Sequence, residues 1–544
     1  MNLYLKKACH HPTLLPLFAV VLLAQHARQA AELIQPNDLQ GDIAFLASDD
    51  LKGRNSGSAE DRIATDYIAS EFMRLGLKPV GDGGTYFQNI DINTADPDLE
   101  HTTFTAKIAG VEHAFRVMIP HAFSNNDDYS PWPWQSLHPA SACGAIVFAG
   151  YGINAPEYGY NDFAGIDVKG KVVLVLGGEP QASDANSKFM GTLDTYHAFN
   201  WEKLEELRRR GAAGVLLVRD RVQRQFKPTH AGSPRASGGH FALAGQMWDI
   251  LTFEISRDVA DQLLAPSGKT TDALQAEIDR TLRPDSVEVS ESSACMAKAF
   301  HNLETYKGRN VVALLEGSDP NLKSQAIVVT AHHDHMGMAN GHIYNGADDN
   351  ASGVAGLLGI ATAFQRGKVH PKRSVLFIAY DGEERGLLGS YYYVTHPIIR
   401  LDQTVASINM DQIGRNENDG NWPVPPDGNV NRVNVLGTRY NPGLREVIDH
   451  ENNRVGLKLD YKMDVVDPDS LWSRSDHYWF ATLHIPQVEF VTGLHPDYHT
   501  DHDTWDRINY PKMTKIVRLV FLSINELASS GKKLAFVPAG VAAQ

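Results

Sequence analysis

Two rhythms of apolar residues organise this chain. From Ser58 to Leu75 the apolar positions Ile63, Tyr67, Ile68, Phe72 and Leu75 recur at helical spacing, and Gly76 and Pro79 follow as stop signals. That pattern predicts an amphipathic helix packed on a core. From about residue 302 the texture differs. "NVVALLEG", "AIVVTAHHD", "SVLFIAYDGEE", "VASINMD" and "IPQVEFVTG" are unbroken apolar runs of strand length, and helical stretches such as "GVAGLLGIATAFQRG" (353–367) and "KIVRLVFLSINELASS" (515–530) alternate with them. Strands that are apolar on both faces and alternate with helices predict an α/β domain with a mixed, mostly parallel sheet sandwiched by helices.

Between roughly 125 and 290 the pattern changes. After the Pro- and Trp-rich loop "SPWPWQSLHP" come short β-branched runs bounded by glycine, "GAIVFAGYG", "GKVVLVLGG" and "AAGVLLVRD", with a helical stretch "WEKLEELRRRG" (201–211) among them. They predict a small β-rich domain that carries no catalytic cluster. At the start, Lys6 and Lys7 precede the apolar run "LLPLFAVVLLA" (14–24), which is too short to span a bilayer. It reads as an export signal, and Ala27, Ala30 and Ala31 are each small enough to precede the cut. No other run is long and apolar enough to cross a membrane.

Charge and cysteines narrow the chemistry. A formal net charge of −15 argues against nucleic acid as the main partner, because phosphate binding needs clustered Lys and Arg. Cys9 leaves with the signal, and whether Cys143 and Cys295 pair stays open. Their spacing excludes a cysteine-rich zinc site, so a metal would be held by His, Asp and Glu.

Such residues gather where the apolar runs finish. His332 and Asp334 follow "AIVVTA", Glu383 and Glu384 follow "SVLFIAYDG", and Asp411 follows "VASINM". In open α/β sheets ligands bind outside the carboxyl ends of the strands, so three strand ends and the late loop "LHPDYHTDHDTWD" (494–506) point to one shared site. His332 and Asp334 lie two apart on an extended segment and face the same way. Asp348 and Asp349 precede a helix, where Asp serves as an ordinary N-cap or as a ligand. Of the adjacent Glu383 and Glu384, one suits a metal and the other a base.

"AHHDHMG", "GADDNASG", "DGEERGLLGS", "NMDQIGR", "SDHYWF" and "PDYHTDHDT" together resemble, in this order, the co-catalytic zinc aminopeptidases, a family that also holds glutamate carboxypeptidases and glutaminyl cyclases. The segment 135–290 resembles the protease-associated domain often inserted in these enzymes. With the signal peptide (1–30) and a C-terminal tail (531–544) that frays read from the residues themselves, the resemblance implies an N-terminal part of the peptidase domain (31–134), the insertion (135–290) and the main peptidase domain (291–530). It implies two zinc ions per chain, held by His332, Asp349, Glu384, Asp411 and His499, with Asp349 bridging. Asp334 would stand behind His332, Glu383 would be the general base, and Tyr498 would help hold the carbonyl oxyanion. Asp348 would shape the turn into the helix, and His333, His335, His342, His477 and His495 receive no metal role. The implied function is a secreted or periplasmic aminopeptidase acting on peptides. A carboxypeptidase, a glutaminyl cyclase and a non-catalytic peptide-binding protein are the alternatives. Oligomeric state stays open.

Overall fold

The computed structural model describes residues 25–538 except 118–127, 132–136, 185, 191–193, 220–239, 245–249, 419, 421, 466 and 468–470. The apolar run of the export signal and residues 132–136 of the Pro- and Trp-rich loop lie outside the described residues.

The expected helix α1 (Ala59–Arg74) starts at Ser58, whose side chain accepts from the Asp61 N–H at 3.0 Å. Ser is a favoured cap because its oxygen satisfies one of the amides the first turn leaves open. Ile68 and Phe72 are buried, whereas Ile63 is 50% exposed and lies off the packed face. The larger sheet has ten strands among the described residues. Those that matter here are β1 (Phe87–Pro97), β2 (Phe300–Leu315), β3 (Ala326–His332), β4 (Ser374–Tyr380), β5 (Thr404–Met410), β6 (Arg432–Leu436) and β7 (Gln487–Val491). Their spatial order is β1-β2-β4-β3-β5-β7-β6. The centre β4-β3-β5-β7 is parallel, and β1, β2 and β6 join antiparallel to their inner neighbours. The sheet is therefore mixed, with parallel pairing confined mainly to its middle rather than prevailing throughout. An unbroken apolar run reports burial on both faces and leaves strand direction open.

Helices α2 (Gly353–Arg366) and α3 (Tyr510–Ser529) pack with α1 on one face of this sheet in a continuous apolar core. A helix at residues 25–31 adds to it, and Ala27, Ala30 and Ala31 are all buried there. The other face is covered by Tyr393, Tyr478, Trp479 and Phe480. The tail does not fray over its described part. Phe536 stacks on Tyr440 and His484, and the Val537 N–H donates to the Tyr440 carbonyl.

A second sheet, of eight strands among the described residues, runs from Thr103–Ile108 to Val287–Lys298. This unit reaches beyond residues 135–290 on both sides, because Thr103–Ile108 and Val111–Phe115 belong to its sheet and Val287–Lys298 runs past its expected end. Its strand His240–Leu243 leaves it to pair with β1 of the larger sheet. Cys143 and Cys295 stand directly opposite each other on neighbouring strands and form a disulfide. The bridge closes a loop with a sequence separation of 152 residues. Replacing both cysteines by alanine should lower unfolding stability by about 2–5 kcal/mol. Denaturant unfolding of the double variant checks this, and an unchanged midpoint would show that the bridge does not form in the protein.

Candidate metal centre

The chain passes from β3 through α2 to β4 on one side and then returns to β5 on the other, so the strand order reverses at β3. A crevice opens outside the carboxyl ends at such a reversal. His332 ends β3, Glu383 and Glu384 lie just beyond β4, Asp411 follows β5, and His499 lies in the loop after β7. All five are buried, with at most 5% of any one exposed.

Asp349 sits between two groups. Its Oδ1 is 3.2 Å from His332 Nε2, and its Oδ2 is 2.9 Å from His499 Nε2. On the first side, Asp411 Oδ1 is 3.4 Å and Glu383 Oε2 3.9 Å from the same His332 nitrogen. On the second, Glu384 Oε1 is 3.3 Å from His499 Nε2. Four ligands at about 2.1 Å around a tetrahedral ion lie about 3.4 Å from one another, and these spacings fit that geometry. The ring of His332 is oriented for it. Its Nδ1–H donates to the Asp334 carbonyl at 3.1 Å, which leaves Nε2 facing the carboxylates. A ligating imidazole is typically fixed through its other nitrogen in this way. Imidazole and carboxylate donors suit zinc.

The electrostatics call for positive charge at the same place. Burial disfavours a charged His332, yet Asp411 and Glu383 outweigh it and hold its pKa well above the usual value. Burial and Glu384 act to raise the pKa of Asp349, but contacts with His332 and His499 hold it below the ordinary carboxylate range.

The surroundings fix each group. Asp334 accepts the backbone N–H of Glu383 at 3.0 Å and of Glu384 at 3.3 Å, so it ties the β3 end to the β4 end. Ser475 Oγ donates to Asp411 Oδ2 at 2.7 Å, and Asn409 Nδ2 donates to Ser475 at 2.8 Å. Asn350 donates to the Met410 carbonyl at 2.9 Å and accepts from the Gln412 N–H at 3.3 Å, gripping the backbone on both sides of Asp411. Gly353 permits that contact, because a Cβ there would come within 2.4 Å of the Met410 carbonyl oxygen. Asp348 Oδ1 accepts the Gly414 N–H at 2.6 Å, so its side chain ties the loop after β5 rather than the turn into the helix expected of it. Tyr498 lines the cleft with Glu383 and Asp349, and its hydroxyl accepts from Arg474 Nη2 at 2.9 Å.

Three contributors escaped the sequence reading. Asp503, in the "DHDT" turn, accepts the backbone N–H groups of Asp348 at 3.0 Å and Asp349 at 3.1 Å. Arg54 is 1% exposed and donates to the carbonyls of Leu46, His333, Asn345 and Gly346, so it joins the N-terminal segment to both ligand-bearing loops. His335, expected only as a neighbour, has its Nδ1 2.8 Å from Glu384 Oε1. Asp503 and Arg54 act through backbone groups that have no side-chain pattern to read. His333 turns to the opposite face and pairs with Asp61 at 2.9 Å, as alternation implied. His342 is exposed and pairs with Asp501, His495 stands 3.3 Å from Asp348, and His477 stands 3.3 Å from Glu489.

Fold and site together define an α/β domain with a buried histidine and carboxylate centre at the rim of its parallel strands. Residues 310–524 match Peptidase family M28, and the chain carries a domain of that family. Aminopeptidase YwaD of Bacillus subtilis is 27% identical over 248 residues, 43% of this chain and 48% of the relative. Probable glutamate carboxypeptidase AMP1 of Arabidopsis thaliana is 23% identical over 420 residues, 69% of this chain and 52% of the relative. The chain thus spans about half the length of these curated relatives. Among solved structures, an aminopeptidase from Aneurinibacillus sp. strain AM-1 superposes with a TM-score of 0.45 at 18% identity, covering 94% of this chain and 98% of that one.

If Asp503 holds the ligand loop, Asp503→Ala should weaken divalent-metal binding on the order of 10–100-fold, the usual cost of losing a group that orients ligands. Competition against a chromophoric chelator reads this directly. An affinity equal to that of the unmodified protein would show the clamp to be dispensable.

Proposed function

We propose that this chain is an exported zinc-dependent aminopeptidase that hydrolyses N-terminal residues from peptides. The observation that carries the reading is Asp349, whose two oxygens turn toward two separate imidazoles. One site would be held by His332, Asp349 and Asp411, the other by Asp349, Glu384 and His499. Bound zinc ions lower the pKa of water and polarise a carbonyl. Glu383 lines the cleft beside Asp349 and Asp411 and is the general base. It takes a proton from the attacking water and passes it to the leaving amine. Tyr498 accepts from Arg474, so its own hydroxyl hydrogen serves as a donor to the developing oxyanion.

The second unit is a protease-associated domain that walls the cleft. Its Tyr196 joins Tyr440 and Trp472 in one apolar cluster, and Leu471, next to Trp472, lines the cleft. The disulfide supports export, since such bonds persist in oxidising compartments. No helix among the described residues is long and apolar enough to cross a membrane. Burial of Ala27, Ala30 and Ala31 favours removal of the signal ahead of them.

Glu383→Gln should retain its metal while turnover falls by at least about 100-fold, the range of general-base contributions. Unchanged activity at full metal content would exclude Glu383 as the base. A panel of peptides with free and blocked N-termini, run with and without chelator, tests the activity itself. Chelator-sensitive cleavage of only the free-amine peptides is expected. Cleavage from the carboxyl end would favour the carboxypeptidase reading, and metal-free inertness on all peptides would favour a binding protein.

A further inference from the structure

The cleft holds one more carboxylate, and the reaction above does not use it. Glu489 lies on β7 and is 3% exposed. It lines the same cleft as Glu383 and Asp411. In the parallel pair of β5 and β7 it stands opposite Asn409, two residues before Asp411. At about 3.3 Å per residue that places it about 6–7 Å below the layer of the metal ligands. Val491 projects from the same face of β7, and Val491 and Leu471 give the cleft apolar walls above Glu489.

A buried carboxylate needs a compensating partner. Burial, with Asp411, Asp467 and Asp476 nearby, pushes the pKa of Glu489 well above the usual carboxylate value; the one hydroxyl hydrogen of Ser475 goes to Asp411, and Oε2 of Glu489 accepts no hydrogen bond. The nearest basic atom is Nδ1 of His477 at 3.3 Å. Burial pushes the pKa of that imidazole down to about 3, so it brings no charge. The other charged neighbours, Asp411, Asp467 and Asp476, are carboxylates themselves. Among the described residues no lysine or arginine forms an ion pair with Glu489, and Arg474 of the same cleft donates to Tyr498. Among the described residues the chain brings no cation to this carboxyl, and a cation entering the cleft would offset the burial that disfavours its charged form.

We propose that Glu489 forms the base of the pocket for the first side chain of the peptide and selects a cationic one, lysine or arginine. The inference rests on the aminopeptidase reading. The α-amine of a bound peptide stays beside the scissile carbonyl and so in the layer of the metal ligands. A lysine carries its ammonium on a four-carbon stem, which spans the depth to Glu489 while lying along Leu471 and Val491.

The test compares kcat/KM for lysyl, Nε-acetyl-lysyl and norleucyl amides on the metal-loaded protein. Acetylation removes the charge and keeps the stem. The unmodified enzyme should prefer the lysyl amide to the acetylated one by at least about tenfold, since a desolvated charge pair contributes that much or more. Glu489→Gln should lower the lysyl-to-norleucyl ratio by on the order of 30-fold. Equal use of lysyl and acetyl-lysyl amides by the unmodified enzyme would overturn the proposal even if the variant failed to fold. So would a Glu489→Gln enzyme whose two rates fall together. A protein that cleaves none of the three with metal present would instead defeat the aminopeptidase reading.

Discussion

Everything at the rim of this sheet depends on one electrostatic constraint. Asp349, Glu383, Glu384 and Asp411 are buried together with His332 and His499. Carboxylates this close in a low-dielectric setting repel strongly unless positive charge lies between them. Within the cluster the imidazoles of His332 and His499 lie against these carboxylates. Arg54, a buried cation, spends its donors on four carbonyls behind the loops of the cluster. The scaffold instead fixes the acidic groups from outside. Asp503 clamps the Asp349 loop, Ser475 positions Asp411, and Asp334 joins the ends of β3 and β4. The acidic groups are thus held in place by contacts from outside their own cluster.

Much of this was legible in the chain itself, for physical reasons. Apolar runs must end where a strand leaves the core, so polar residues at those ends mark the rim. That rule found the ends of β3, β4 and β5, and alternation separated His332 from His333. Helical periodicity located α1 and α2, although Ile63 fell outside the buried face because exposed apolar residues are common at single positions. Strand direction was less accessible. A run apolar on both faces looks alike whether parallel or antiparallel, and β2 proved antiparallel to its inner neighbour.

What could not be read was of two kinds. Groups that act on backbone atoms, such as Arg54 and Asp503, have partners with no side-chain signature. Contacts between distant segments, such as Cys143 with Cys295 or Phe536 with Tyr440, depend on which strands and helices become neighbours. The extent of the second unit is a case of the same kind. Its first strands, Thr103–Ile108 and Val111–Phe115, precede the loop that looked like a boundary, and only the pairing with Val287–Lys298 assigns them.

The central claim is that Asp349 joins two ion sites into one centre. Titrating metal-free protein with zinc, followed by calorimetry and by metal analysis after dialysis, tests it most directly. The account predicts two tightly bound equivalents per chain and the loss of tight binding at both sites in Asp349→Ala. A single equivalent, or two that survive the substitution, would contradict it.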